Sequence, residues 1–377
     1  MVSKIGVYAE SGKSANIRPM KDPLLTASMQ VVVREDWLKK TVEPILDPGL
    51  PIVDPHHHLW THADEVYVLP DLLGDTGSGH DIRGTIFVQC AEMYRAGGPE
   101  EEKSLGETEY VTGVAATSAS GRHGKTRACA GIIGMVDLTL GDRVTALLEK
   151  HVAIAGMRFC GIRNRTAWHP SPEVRSNLVS PPPGPLENPA FITGAKRLAA
   201  FGLPLDVWAY HTQLPHLEKL ARAVPELTVV VDHVGGPLGV GPFFGKRDEV
   251  FPVWKKQMQT LAALPNVVVK VGGLTMQVSG FEFHRQPRPP GSEELAKAWR
   301  PYVETCIEAF GAQRCMFESN FPVDKGMCSY PVLWNALKRL AAGAGAAEKT
   351  ALFSGTAMKT YRLSRLPEAL AIDLAPR

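Results

Sequence analysis

Histidines and an acidic residue cluster at the end of a short apolar run. Residues 51–60 read PIVDPHHHLW. Because side chains two apart on an extended segment point to the same face, Asp54, His56 and His58 can converge while His57 points away. Two imidazoles on one face form a metal-ligand geometry, and the alternative is a polar strand end with solvated histidines. The surrounding elements decide between these interpretations.

The composition indicates a globular chain that acts on a small molecule. With 377 residues, 44% of them hydrophobic, it is long enough for one large barrel or two ordinary domains. The 41 Lys and Arg residues nearly balance 39 Asp and Glu residues, so nucleic acid and anionic membranes are excluded as partners. No apolar run approaches the roughly 18 residues that span a bilayer, and no signal-peptide pattern is present. We expect a cytoplasmic protein with a small-molecule substrate, and a homo-oligomer stays open.

Apolar runs alternate with helical segments along most of the chain. Residues 1–30 are polar, without a sustained period, and are predicted to form a flexible or surface-draped leader. A short lead-in helix is predicted in the amphipathic segment that starts at Val31, ending near Pro44. Eight strands are then predicted at residues 51–54, 83–90, 127–136, 156–162, 205–210, 227–232, 266–271 and 314–320, most of them followed by a helix.

This alternation predicts the fold class. Continuous apolar strands between helices are typical of a parallel sheet buried on both faces, and eight such units favour a closed barrel. An open doubly wound sheet also fits the alternation, but no Gly-x-Gly-x-x-Gly follows a strand. We therefore predict an α/β fold, a single (β/α)8 TIM-like barrel over residues 31–377 with a lead-in helix and a C-terminal extension. In this fold chemistry takes place at the carboxyl ends of the strands.

Polar residues follow nearly every predicted strand. Four of the twelve histidines fall at the ends of three strands, which makes chance placement the weaker explanation. For His211 alone, a structural histidine is the alternative, and for each arginine it is a surface ion pair. The strand-end candidates are His56, His58, Glu92, Arg158, Arg163, Tyr210, His211, Asp232, His233, Lys270, Glu318 and Asn320, with Asp324 just beyond.

Three segments resemble a known family. They are VDPHHHLW at residues 53–60, VDHVGGP at 231–237 and CMFESNFPVD at 315–324. Together they resemble the amidohydrolase superfamily, amidohydrolase 2 type, in the branch of sugar-acid lactonases and 2-pyrone-4,6-dicarboxylate lactonase. The resemblance covers residues 37–363 or so and implies a distorted (β/α)8 barrel that hydrolyses a lactone, in some members with a divalent metal.

One position departs from the family pattern. The eighth strand of the family usually ends in Ser-Asp-Trp-Pro, where the Asp binds metal or acts as the base toward water. Here residues 319–322 read SNFP, and the amide of Asn320 cannot take a proton, although its carbonyl can orient water or substrate. The base is then another group, with Glu318, Asp324 and Asp54 as open candidates.

The resemblance implies attack of an activated water on a lactone or similar cyclic ester at the mouth of the barrel. In a metal-dependent version, one Zn²⁺ or Mn²⁺ is held by His56 and His58 together with His211 or His233. In a metal-independent version, the same histidines donate hydrogen bonds to the carbonyl oxygen.

Substrate contacts and two other functions complete the hypotheses. The candidates for substrate binding are Arg158 and Arg163, which would hold a carboxylate, together with Tyr210 and Glu92. One alternative function is a decarboxylase or hydratase of an aromatic or unsaturated acid on the same site. The other is a catalytically degenerate binding protein.

Overall fold

The computed structural model of the chain describes residues 22–26, 29–62, 65–176 and 180–375. Most of the predicted leader, residues 1–21, lies outside the described residues. Where the described chain begins, Asp22 pairs with Arg285 and Leu25 bridges Val31. No helix in these ranges is long and apolar enough to cross a membrane.

The described residues form ten strands in two sheets. Eight of them form one parallel sheet and the second and third form a small antiparallel hairpin. The strands are β1 (Ile52–His57), β2 (Trp60–His62), β3 (Glu65–Tyr67), β4 (Ile82–Val88), β5 (Arg127–Gly134), β6 (Phe159–Arg165), β7 (Leu205–Trp208), β8 (Val229–Val231), β9 (Val267–Val271) and β10 (Cys315–Phe317).

Helices connect the parallel strands and cover the outside of the sheet. The α-helices are α1 (Glu35–Leu38), α2 (Leu69–Thr76), α3 (Leu105–Ala119), α4 (Val144–Ala155), α5 (Pro189–Ala200), α6 (Leu214–Ala223), α7 (Arg247–Ala262), α8 (Ser292–Phe310), α9 (Tyr330–Leu340), α10 (Ala346–Thr350) and α11 (Thr356–Thr360). The predicted lead-in helix is only the four residues of α1, so it ends well before Pro44.

The sheet closes where β1 meets the segment after β10. The backbone amide of Asn320 donates to the carbonyl oxygen of His56 at 2.9 Å, and the amide of His58 donates to that of Phe321 at 2.8 Å. The strand order β1-β4-β5-β6-β7-β8-β9-β10 is that of a (β/α)8 barrel, which confirms the predicted fold.

The barrel interior has an apolar layer at its amino-terminal end and a charged layer above it. The apolar layer takes one or two side chains from most strands and is closed from below by the C-terminal segment; its members include Val53, Ile86, Ile133, Val230, Val268, Met316, Tyr361, Leu363 and Ile372. The charged layer contains Asp206 on β7 and Lys270 on β9, both fully buried. An ammonium and a carboxylate at this depth require each other as partners.

Loops after β6, β8 and β9 pack together over one side of the mouth. Trp208 and Tyr210, at the end of β7, contact Val174, Leu238 and Met276 in one buried cluster. The Trp208 indole donates to the Ser176 hydroxyl at 3.0 Å. The long loop after β6 is thus held against the mouth along its described part.

Candidate active site

His56 and His58 face the barrel interior at the end of β1. Their Nε2 atoms are 3.3 Å apart, and both rings are buried. His58 donates from Nδ1 to the Val88 carbonyl at 2.8 Å, which leaves its Nε2 with a lone pair. His57 faces the opposite way, as strand alternation requires, and lies 2.8 Å from the Thr85 hydroxyl.

Glu318, directly after β10, lies between His56 and His233. Its Oε1 is 2.7 Å from Nδ1 of His233 and also accepts from the His233 backbone amide at 3.2 Å. Its Oε2 lies 2.9 Å from Nδ1 of His56, but this contact is not a hydrogen bond. Burial raises the pKa of Glu318 well above its ordinary value and lowers the pKa of His233 to about 3. The His233 ring is therefore neutral, with Nδ1 held by the carboxylate.

A buried lysine joins the carboxylates of this layer. Nζ of Lys270 lies 2.6 Å from Oδ2 of Asp206, 3.2 Å from Nδ1 of His56 and 3.4 Å from Oδ1 of Asp232. Burial lowers the pKa of Lys270, but Asp206 and Asp232 outweigh it, so the net shift is upward. Lys270 is a permanent cation at the floor of the site.

Arg163, on β6, is the second cation. Its guanidinium donates to the Gln89 carbonyl, and Nη1 lies 3.4 Å from Nε2 of His56 and 3.9 Å from Oδ2 of Asp232. Its Nε is buried without a hydrogen-bond partner in the described chain. The sequence-based prediction that Arg163 faces the mouth is consistent with this position.

The three acids predicted as candidate general bases have distinct hydrogen-bond partners. Asp54 accepts from Tyr330 at 2.9 Å and from the Ser319 hydroxyl at 2.5 Å, and burial raises its pKa to about 6. Asp324 accepts from the Asn320 side-chain amide at 2.9 Å, and burial raises its pKa to about 7.

Asn320 itself keeps one free acceptor. Its φ of 54° lies in the left-handed region, which Asn adopts more readily than most residues. With Nδ2 bonded to Asp324, its Oδ1 is buried without a partner among the described residues.

Three further candidates lie on the rim. His211 follows β7 in a short 3-10 helix, where its Nδ1 accepts from the Leu238 amide at 3.3 Å and its ring contacts Phe243. The Tyr210 hydroxyl lies 2.9 Å from Ser176, and Glu92 accepts from Thr61 at 2.6 Å. None of these contacts connects His211, Tyr210 or Glu92 directly to the histidine cluster.

Arg158 does not stand at the mouth. It ends the short helix Gly156–Arg158, immediately before β6, and burial lowers its pKa. The expectation that Arg158 lies at the carboxyl end of the fourth barrel strand was wrong, because Arg158 precedes that strand, which begins at Phe159.

The donor set fits a divalent ion. Within the described chain, one group of candidate ligand atoms lies within 4.8 Å of one another, on His56, Asp232 and His233. Neither carboxylate oxygen of Asp232 has a hydrogen-bond partner among the residues that the structure describes. The 3.3 Å between Nε2 of His56 and His58 is also about the spacing of two tetrahedral ligands at roughly 2.1 Å from zinc. His211, a predicted ligand candidate, is not in this group.

Sequence reasoning gave no role to three residues of the charged layer. Asp232 and Lys270 are at predicted strand ends, and Asp206 lies inside the apolar run LDVW at residues 205–208. The available signal was a charged residue within an otherwise apolar, fully buried strand, since such a charge needs a buried partner.

Comparison with known proteins agrees with the fold. The model of the amidohydrolase family matches residues 53–363. The chain belongs to the amidohydrolase family. An uncharacterized protein, y4mH of Sinorhizobium fredii, is 31% identical over 83% of this chain and 98% of its own length.

Two further relatives come from Burkholderia multivorans. An L-fucono-1,5-lactonase is 26% identical over 84% of this chain and 98% of its own length. The crystal structure of an amidohydrolase with bound zinc superposes with a TM-score of 0.64 at 25% identity, covering 84% of this chain and 99% of that one.

Proposed function

We propose that this amidohydrolase opens a lactone by hydrolysis at the carboxyl end of the barrel. The observation that carries the proposal is the Glu318–His233 pair, in which a buried carboxylate holds Nδ1 of a neutral imidazole at 2.7 Å. The similarity to an L-fucono-1,5-lactonase over most of both chains supports a cyclic ester as the substrate.

His233 is the proposed general base. With its Nδ1 hydrogen held by Glu318, the lone pair at Nε2 is available to take a proton from water. Asn320 supplies an acceptor, its unpartnered Oδ1, which can orient that water. This division replaces the acid that the family usually carries at position 320.

Arg163 and His56 are the proposed partners of the carbonyl oxygen. Nη1 of Arg163 and Nε2 of His56 are 3.4 Å apart, so two donors can converge on one oxygen that gains negative charge during attack. His58, whose Nε2 lies 3.3 Å from that of His56, positions this group.

A zinc or manganese ion would be held by His56, Asp232 and His233. When bound, such an ion supplies charge that polarises the carbonyl and lowers the pKa of water. An ion held in this way would occupy the ring nitrogen of His233 that otherwise takes the proton, so general-base action by His233 belongs to the metal-free site.

A lactone panel tests the proposal. We expect proton release at constant pH from sugar lactones or carboxylated pyrones, and little from acyclic esters of the same acids. Glu318→Gln should lower kcat by about 10²- to 10⁴-fold, because the proton acceptor loses its orienting carboxylate. The matched control is Glu187→Gln, which removes an exposed carboxylate beside the half-buried His216.

Two results would contradict the proposal. One is an absence of hydrolysis across the whole panel by protein with a native thermal transition. The other is release of CO2 from an aromatic acid, which would assign the site to decarboxylation.

A further inference from the structure

Lys270 touches two of the three candidate metal ligands. It is fully buried, and its Nζ lies 3.2 Å from Nδ1 of His56 and 3.4 Å from Oδ1 of Asp232. An ammonium has hydrogens and no lone pair, so it can only donate. Nδ1 of His56 must therefore be the acceptor in this contact.

This contact fixes which nitrogen of His56 carries the hydrogen. A neutral imidazole has one N–H and one lone pair, so a ring that accepts at Nδ1 carries its hydrogen at Nε2. His58 matches, because its Nδ1 donates to the Val88 carbonyl and its Nε2 faces that of His56 at 3.3 Å. Donors and acceptors then alternate from Lys270 through His56 and His58 to Val88, although Nη1 of Arg163 faces the Nε2 hydrogen of His56 at 3.4 Å.

The opposite tautomer of His56 has other partners. In that tautomer Arg163 would donate to Nε2 at 3.4 Å, while Glu318 Oε2 lies 2.9 Å from Nδ1 without forming a hydrogen bond. That arrangement turns an N–H toward the Lys270 ammonium and sets the lone pairs of His56 and His58 against each other. It is nevertheless the tautomer whose Nε2 can bind a metal, because a ligand nitrogen needs a free lone pair.

We propose that Lys270 is an internal cation that competes with a divalent metal ion for this site. It holds His56 in the tautomer that cannot coordinate through Nε2, and its charge lies against Asp232. Lys270 thereby sets the metal affinity and is a positioning residue. This inference rests on the same site as the proposed lactonase function but makes no statement about turnover. The test therefore measures metal binding.

The decisive variant keeps the formal charge of the site unchanged. Lys270→Met alone leaves Asp206 without its cation, so it is combined with Asp206→Asn and compared with Asp206→Asn alone. Relative to the wild type, the double variant loses one cation and one carboxylate, so the formal charge of the site stays the same. The matched control is Lys338→Met on α9, since Lys338 is another buried lysine whose Nζ contacts a histidine Nδ1, that of His80, at 2.9 Å.

Calorimetric titration of the chelator-treated full chain with Zn²⁺ alone gives the readout. We expect zinc to bind about tenfold more tightly, or better, to Lys270→Met/Asp206→Asn than to Asp206→Asn, as for other residues that orient metal ligands. Lys338→Met should bind zinc like the wild type. Equal or weaker zinc binding by the double variant overturns the proposal. Absence of lactone hydrolysis would contradict the proposed function and leave this result unaffected.

The wild-type chain provides a second test that does not depend on folding of any charge variant. In metal-free protein labelled with ¹⁵N-histidine, long-range ¹H–¹⁵N correlations identify the protonated ring nitrogen, with His56 assigned by the loss of its signal in His56→Gln. We expect the hydrogen of His56 at Nε2. A hydrogen at Nδ1 overturns the proposal.

Discussion

Each buried carboxylate around the histidines serves a different partner. Asp54 holds Ser319 and Tyr330, Asp324 holds Asn320, and Glu318 holds His233. Two of the three acids that could have replaced the missing strand-eight base are thus saturated by hydrogen bonds. The third acts on a histidine, which explains how an amide at position 320 is compatible with a working site.

Asn320→Asp is expected to lower both stability and hydrolysis. The new carboxylate would face Oδ1 of Asp324 across a contact of 2.9 Å, and two buried carboxylates at that distance cannot both ionise. Loss of this hydrogen bond should cost about 1–3 kcal/mol of unfolding free energy, measured in urea. Asn320→Asp with Asp324→Asn reverses donor and acceptor and should recover most of the loss. A gain of hydrolysis in the single variant would instead indicate a degenerate site.

Some site residues were predictable from local pattern and others were not. The inward pair His56 and His58 follows from strand alternation alone. His211 and His233 look alike in sequence, but β7 ends at Trp208, and His211 lies in the following turn against Phe243. The partners Asp206 and Lys270 are 64 residues apart, so only the closed barrel brings them together.

At the scale of elements, helix α3 anchors the mouth loop after β4. Oε1 of Glu107 accepts from the backbone amides of Cys90 and Glu92, both at 2.9 Å. Between them Ala91 has a φ of 71°, a conformation that a residue with a side chain adopts only when its surroundings hold it. A helix side chain therefore determines the path of a loop that carries Glu92.

Glu107→Gln should change how stability depends on pH. Burial raises the pKa of Glu107 from 4.5 to about 7. Because the folded state binds this proton more tightly than the unfolded state, the wild type loses about 3 kcal/mol from this group as pH rises through that window. Glutamine keeps the carbonyl acceptor for both amides and does not titrate, so its stability should fall less between about pH 5 and 8 in urea unfolding.

The control for this effect lies on the same helix. Glu109→Gln removes an exposed carboxylate that pairs with Arg95, and it should keep the wild-type slope over this pH range. Parallel pH dependence of Glu107→Gln and the wild type would contradict the assignment.

The presence of each barrel strand was predictable because it is a continuous apolar run. The residues at which the strands begin and end were harder to predict. The run before β6 begins with Gly156 and Met157, which the structure places in a helical turn with Arg158. Apolar character cannot distinguish such a turn from a strand start. Arg158 therefore precedes the strand and lies at the amino-terminal end of the barrel, away from the mouth.

At the scale of the whole molecule, the C-terminal segment closes the amino-terminal end of the barrel. Tyr361, Leu363 and Ile372 enter the apolar layer, and Arg83 on β4 donates to the carbonyls of Asp373 and Ala375. The Tyr361 hydroxyl donates to Asp206 at 2.8 Å, and Asp206 in turn holds Lys270. The C-terminal segment is therefore connected to the active site through the barrel floor.

Tyr361→Phe should destabilise the chain by about 1–3 kcal/mol, because a charged, fully buried acceptor loses a donor. Urea unfolding measures the change. Tyr110→Phe is the matched control on α3, since its hydroxyl makes no hydrogen bond in the described chain, and its effect should stay within about 0.5 kcal/mol. Equal effects of the two substitutions would show that the Asp206 contact contributes little.

The closure of the barrel has a consequence for how activity reports on folding. The backbone hydrogen bonds that join the first and last barrel strands involve His56, His58, Asn320 and Phe321. Opening that seam separates the residues of the chemistry from one another before any other part of the site is disturbed. If partial unfolding begins at this seam, turnover should disappear before the helical circular-dichroism signal is lost. Enzyme activity would then report whether the barrel is closed.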